Sequence, residues 1–228
     1  MRHALLALAV AALLAAGALA VSPARAGRPP RPDPDKPRAR AFVLTDQNGE
    51  KVILSRFQGL VVVLEWMNPD CPFSRRHYEE GTFKDLAKTY KYGIPGQPDP
   101  QPAPRGRRQK KKRPKVIWLA VNSTYNGSVE ANKKAAQEFA VPYPILDDHL
   151  GKVGRLYGAK TTPHVFVIAP NGNIWYHGAI DNDPEGTAEA DERVNYVQKA
   201  LEAVLSAKEP DTPQTQPYGC TIKYAKQR

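Results

Sequence analysis

Two runs of residues constrain the fold more than anything else in the chain: Leu60-Val61-Val62-Val63-Leu64 and Val116-Ile117-Trp118-Leu119-Ala120-Val121. Neither alternates apolar with polar residues, so each reads as a strand covered on both faces, the mark of a sheet sandwiched between other layers. Helical periodicity lies between them. Phe83, Leu86, Ala87 and Tyr90 recur at i, i+3, i+4 and i+7, with Thr82 and Asp85 spaced as a capping pair. Pro72 suits the first turn of an earlier helical piece interrupted near Gly81.

The remaining punctuation extends this unit. Ala41 to Thr45 and Lys51 to Leu54 flank Asn48-Gly49, and Val165 to Ala169 and Ile174 to Ile180 flank Asn171-Gly172, two hairpin signals. Ser128 can cap a helix through Phe139. Leu150, Val153, Leu156 and Tyr157 mark a short helix stopped by Gly158. A last helix is expected from about Thr187, with Val194, Val197, Leu201, Val204 and Leu205 on one face. The order, a hairpin, then βαβα, then ββα, packs most economically as an α/β fold: a mixed sheet with helices on both faces and an N-terminal hairpin extension.

Composition matters mainly for what lies outside that core. Met1-Arg2-His3, the small and apolar run Ala4 to Val21, and Ala24-Arg25-Ala26 read as a signal peptide, residues 1–26, removed after Ala26. The expected site of action is therefore exported, periplasmic or secreted. The net charge of +10 is concentrated: residues 92–115 hold Arg105, Arg107, Arg108, Lys110, Lys111, Lys112, Arg113 and Lys115 against one acid, Asp99. This Pro/Arg/Lys-rich insert reads as a solvated loop, with an anionic envelope surface or acidic partner at 105–115 as its functional alternative. Export and the lack of interleaved aromatic residues argue against nucleic acid. Residues 27–40 read as a Pro/Arg-rich linker and 209–228 as a polar tail without helical periodicity, which leaves one domain, 41–208. Two cysteines are too few for a disulfide-stapled miniprotein or a four-cysteine zinc site.

One of those cysteines sits where the first buried strand ends, in Glu65-Trp66-Met67-Asn68-Pro69-Asp70-Cys71-Pro72-Phe73-Ser74. With Pro72 at the first helical position, Cys71 becomes the cap, its sulfur turned toward unpaired N–H groups and the positive end of the helix dipole. Arg75, one turn along, would favour the thiolate and Asp70 would oppose it. The competing reading is a small buried core residue. Trp66 and Met67 read as packing.

Taken with Thr161-Thr162-Pro163 before the Val165-Phe166-Val167 strand, this segment resembles the thioredoxin-fold redoxins, in particular the branch that includes alkyl hydroperoxide reductase/thiol-specific antioxidant proteins. The resemblance spans about residues 40–207. It implies a thioredoxin-like sheet, a cis-proline at Pro163 facing Cys71, and backbone hydrogen bonds from Thr162 to an extended substrate. It also puts Glu65 at the family's buried carboxylate, where burial would raise the pKa and let the group accept or relay a proton.

The departures from the family pattern are specific. Ser74 stands where a dithiol oxidoreductase has its second cysteine. Asn68 stands where a peroxiredoxin has threonine, though its amide can still donate to a peroxide oxygen. Cys220, in Pro217-Tyr218-Gly219-Cys220, supplies a second thiol within reach of a tail that spans roughly 33 Å when extended. The expected chemistry is attack by Cys71 on a disulfide-bearing protein or a hydroperoxide, with Cys220 resolving and an external thiol reductant resetting the pair. A permanent Cys71–Cys220 staple and an intermolecular Cys220 bond remain open, as does a non-catalytic redoxin scaffold whose basic loop docks a partner. No cofactor is implied. His77, His149, His164 and His177 lack ligand-like spacing, and Arg75 occupies the position a CxxxC copper site would need. Of these, His164 alone is expected to line the active surface.

Overall fold

The structure, a computed structural model, describes residues 31–90 and 116–226. The signal segment 1–26 and the basic insert 92–115 lie outside the described residues. In chain order the elements are β1 (Val43–Asp46), β2 (Lys51–Ile53), a 3-10 turn (Leu54–Phe57), β3 (Val61–Trp66), α1 (Pro72–Glu79), α2 (Thr82–Thr89), β4 (Val116–Asn122) and α3 (Val129–Glu138). They continue as β5 (Ile145–Asp147), α4 (Lys152–Tyr157), β6 (Thr161–Thr162), β7 (His164–Ile168), β8 (Ile174–Gly178), α5 (Tyr196–Leu205) and β9 (Cys220–Thr221).

Seven strands form one mixed sheet in the order β2-β1-β5-β4-β3-β7-β8. The two apolar runs are its centre: β3 and β4 pair in parallel, Val63 opposite Trp118, and β7 lies antiparallel on the other side of β3, with Val167 opposite Val63. Every residue of β3 and β4 is buried, as strands without alternation require. One face carries Val61, Val63 and Trp118 under Tyr78 of α1, Phe83 of α2, Ala135 of α3 and Leu201 of α5. The other carries Val62, Leu64 and Trp66 under Val153 of α4, Phe42 and, from the tail, Ile222.

Several boundaries depart from the sequence expectation. The N-terminal hairpin forms around Gly49, with the Asp46 carboxylate accepting from the N–H groups of Asn48 and Glu50. It joins the main sheet through β1–β5 pairing, and β5 itself, only three residues long, gave no separate sequence signal. Thr82 does not cap α2; Gly81 does, with φ +78° and no side-chain cap bond. Ser128 caps α3 by accepting from Ala131 N–H at 3.1 Å. The last helix begins at Tyr196 rather than near Thr187, capped by Asn195. Residues 181–195 are instead held irregularly, for example by Asp183 accepting from the N–H groups of Thr187 and Ala188 and pairing with Arg193. Leu150 and Leu156 are about half exposed, so α4 buries less than its periodicity suggests.

Where described, the two segments read as peripheral are packed. Asn173 in the β7–β8 turn hydrogen-bonds the backbone of Asp33 and Lys36. The tail runs back across the domain: His177 N–H donates to Pro213 carbonyl, Ile222 N–H to Lys160 carbonyl, and the Tyr224 hydroxyl to Ala159 carbonyl. Its polar composition hid a handful of anchoring side chains, each meeting a partner distant in sequence.

Candidate active site

β3 delivers the chain to the end of the sheet, and a tight turn then aims it into α1. Met67 N–H still bonds Val121 carbonyl at 3.0 Å. Asn68 builds the turn, its side-chain oxygen accepting from Asp70 N–H at 3.0 Å and its carbonyl from Cys71 N–H at 3.1 Å. Cys71 follows in an extended conformation as the cap of α1, with Pro72 in the first turn.

Facing it is the Thr162–Pro163 peptide, which is cis. Thr162 is buried, and its carbonyl oxygen accepts from the Cys71 thiol at 3.0 Å. On the far side of Thr162 lies β9, antiparallel to β6, with Cys220 in register opposite Thr162. The strand pairing therefore brings Cys71, Thr162, Pro163 and Cys220 together. Cys71 is 1% exposed whereas Cys220 is half-buried, and both are thiols.

The two sulfurs titrate as a pair. Burial pushes the Cys71 thiol up. The Cys220 thiol, the Thr162 hydroxyl and the N–H groups of Ser74 and Cys220 outweigh that, and the net direction is below the ordinary thiol value. Among these, Ser74 N–H belongs to the first turn of α1 and favours the charged sulfur. The Cys220 thiol is pushed up to about 11, first by burial and then by its bond to Cys71 and the charge there. The first proton leaves the pair easily, the second with difficulty, and the charge rests on Cys71.

The other expected site residues are placed as follows. Glu65 is completely buried in β3. It accepts from Tyr78, from Trp118 Nε1 at 3.0 Å and from Tyr143 at 3.0 Å, and burial raises its pKa to about 7. Arg75 does not serve Cys71. Its guanidinium is committed to Glu138 at 2.8 Å and Glu79 at 3.3 Å and stacks over Phe139, so the expectation that it stabilises the thiolate is corrected. Asn68 sits beside the cysteine but spends its side-chain oxygen on the turn. His164 is 2% exposed, its Nδ1 accepting from Lys160 N–H and its ring against Phe166; it is an interior residue rather than one lining the surface. Among the described residues no cluster of three or more His, Cys, Asp or Glu gathers as a metal site.

Two contributors went unnoticed in the sequence. Tyr218 is anchored to Asp181, His77 and Arg76. Gly219 lies so close to Thr162 that a methyl there would meet the Thr162 carbonyl carbon at 2.9 Å. The only available hint was a glycine directly preceding a lone tail cysteine.

No protein-family model and no curated protein matches the chain. Solved structures do. An uncharacterized conserved protein from Geobacillus kaustophilus superposes with a TM-score of 0.67 at 24% identity, covering 85% of this chain and 93% of that one. A hypothetical protein from Sinorhizobium meliloti 1021 gives 0.64 at 23% identity, covering 83% and 94%. The C-terminal domain of a candidate thiol-disulfide oxidoreductase from Bacteroides thetaiotaomicron gives 0.52 at 15% identity, covering 75% and 96%. At these identities the likeness is one of fold, and the sheet order, the helix begun at Cys71 and the cis-proline make that fold thioredoxin-like.

Proposed function

We propose that this chain is an exported thiol–disulfide oxidoreductase whose redox pair is Cys71 and Cys220. The single observation that supports it best is the register of β9 on β6, which sets Cys220 against Thr162 and its thiol in hydrogen-bonding range of Cys71. Cys71, the more acidic and more buried sulfur, is the attacking thiolate. On a disulfide R–S–S–R′ it forms Cys71–S–S–R and releases R′–S⁻. Cys220, on losing its proton, then attacks the Cys71 sulfur, expels R–S⁻ and closes the Cys71–Cys220 bond. An external dithiol reverses the last step and is itself oxidised.

A hydroperoxide is the second substrate class. Cys71 thiolate takes the terminal OH as a sulfenic acid, the departing alkoxide picks up a proton from solvent and leaves as the alcohol, and the Cys220 thiol then displaces water to give the same disulfide. Glu65, lifted to about 7 by burial, is the carboxyl suited to accept a proton near neutrality. Export rests on the leader-like segment 1–26.

Non-reducing peptide mapping of the full chain, before and after one equivalent of a small disulfide or hydrogen peroxide, tests the pairing. A Cys71–Cys220 cross-linked peptide that appears with oxidant and vanishes with mild dithiol is expected. A cross-link that mild dithiol leaves intact would reduce Cys220 to a staple, and separate adducts on the two cysteines would remove the pair altogether.

A further inference from the structure

The sulfur that should meet substrates is closed off by the protein's own tail. β9 takes the antiparallel place beside β6, so the backbone edge next to the cis-proline is already paired. Three features make this a built seat rather than a chance contact. Tyr218 puts its hydroxyl into a buried polar socket, donating to the Asp181 carboxylate with His77 Nε2 at 2.9 Å and Arg76 Nη2 at 3.4 Å, and lays its ring near Phe73. His77 and Asp181 are both at least 98% buried. Gly219, at φ +114°, brings the backbone against Thr162 at a distance no side chain tolerates. Beyond the cysteine, Ile222 enters the core under the sheet.

We infer that the groove between α1 and β6 is a recognition site for an extended Tyr-Gly-Cys segment, filled in cis by residues 217–222. The inference rests on the redox reading of Cys71. It adds a substrate rule: small oxidants need only a local opening of the seated tail, and a disulfide-bearing polypeptide reaches the sulfur only by displacing the tail and presenting its own aromatic-Gly-Cys segment, that cysteine held in the disulfide to be exchanged, to the same socket. Tyr218 is thus a positioning residue, acting on Cys71 through the cover it holds in place.

The test uses the full chain carrying Cys220→Ser, so that Cys71 is the one thiol, and compares alkylation by iodoacetamide with alkylation by a maleimide on a long polyethylene glycol chain. Adding Tyr218→Ala removes a buried hydrogen bond to a carboxylate and should speed the bulky reagent about tenfold or more, and iodoacetamide much less. Gly219→Ala unseats the same strand without touching the socket and must act in the same direction, which guards against a folding defect in the first variant. Free Pro-Tyr-Gly-Ser-Thr-Ile should restore protection to the Tyr218→Ala protein and Pro-Ala-Gly-Ser-Thr-Ile should not. Unchanged bulky-reagent rates in both variants, or equal protection by the two peptides, would overturn the inference. Alkylation needs no disulfide chemistry. Loss of this selectivity with the reversible Cys71–Cys220 bond intact would discard the seat and keep the redox pair, and the reverse outcome would do the opposite.

Discussion

The two cysteines reach the same spot by opposite routes. Cys71 is placed by local structure: a strand, an Asn68 turn and a helix opening at Pro72, all within a dozen residues of sequence. Cys220 is placed by a tail with almost no regular structure, held by Tyr218, Gly219, Ile222 and Tyr224 against partners 37 or more residues away in the chain. The first sulfur is buried and made more acidic, the second half-buried and made less so. A single reactive charge is thereby assigned to the rigid element, and the retained proton and the covering role go to the tethered one.

The sharpest way to break this division of labour is Cys71→Ser. It should lower disulfide-exchange turnover by about a thousandfold or more in an insulin-type reduction assay, because no second nucleophile exists on the rigid side. Turnover carried by Cys220 alone would mean the roles are reversed.

Glu65 gives the next largest effect, on stability. Its folded pKa of about 7 lies above the ordinary 4.5, so the folded state holds the extra proton. The contribution is complete below pH 4.5 and is lost as pH rises through about 7, a loss of roughly 3 kcal/mol. Urea unfolding at stepped pH should show the wild type losing that amount relative to Glu65→Gln over the same window, on top of the rise with pH that buried, neutral His77 and His164 give to both proteins. Parallel slopes in the two proteins would show that another group titrates.

Cys220→Ser sharpens the comparison between the sulfurs. It replaces the thiol that lowers the Cys71 pKa, so the pH midpoint for Cys71 alkylation should move, and the coupled second proton above it should disappear. The smallest effect belongs to Arg75→Ala. With its guanidinium spent on partly exposed Glu138 and Glu79, the alkylation midpoint should stay where it is and the unfolding midpoint should barely move. A raised alkylation midpoint would return Arg75 to the thiolate's environment.

The same contrast explains what the sequence could convey. The buried strands β3 and β4, the helix cap at Cys71 and Glu65 leave local signatures: an unbroken apolar run, a proline one residue past a cysteine, an acid in an apolar strand; the Thr162-Pro163 pair is legible only through the redoxin resemblance. What failed to show were features decided by distant partners. Arg75 at i+4 from Cys71 has two carboxylates within reach, and one of them, Glu138, comes from another helix. The start of α5 is set by Asn195 and by the Asp183–Arg193 pairing upstream of it. In the tail, the polar residues between the anchors mask them, and the socket for Tyr218 is assembled from α1 and the segment after β8.

The most direct test of the central claim is a redox titration of the full chain against glutathione buffers, with the Cys71–Cys220 bond quantified by mass after acid quenching. The account predicts one two-electron transition, between dithiol and intramolecular disulfide, at a potential above about −300 mV, as exchanging pairs show and structural bonds do not. A bond that persists in reduced glutathione throughout, or two cysteines that take up glutathione separately without pairing, would contradict it.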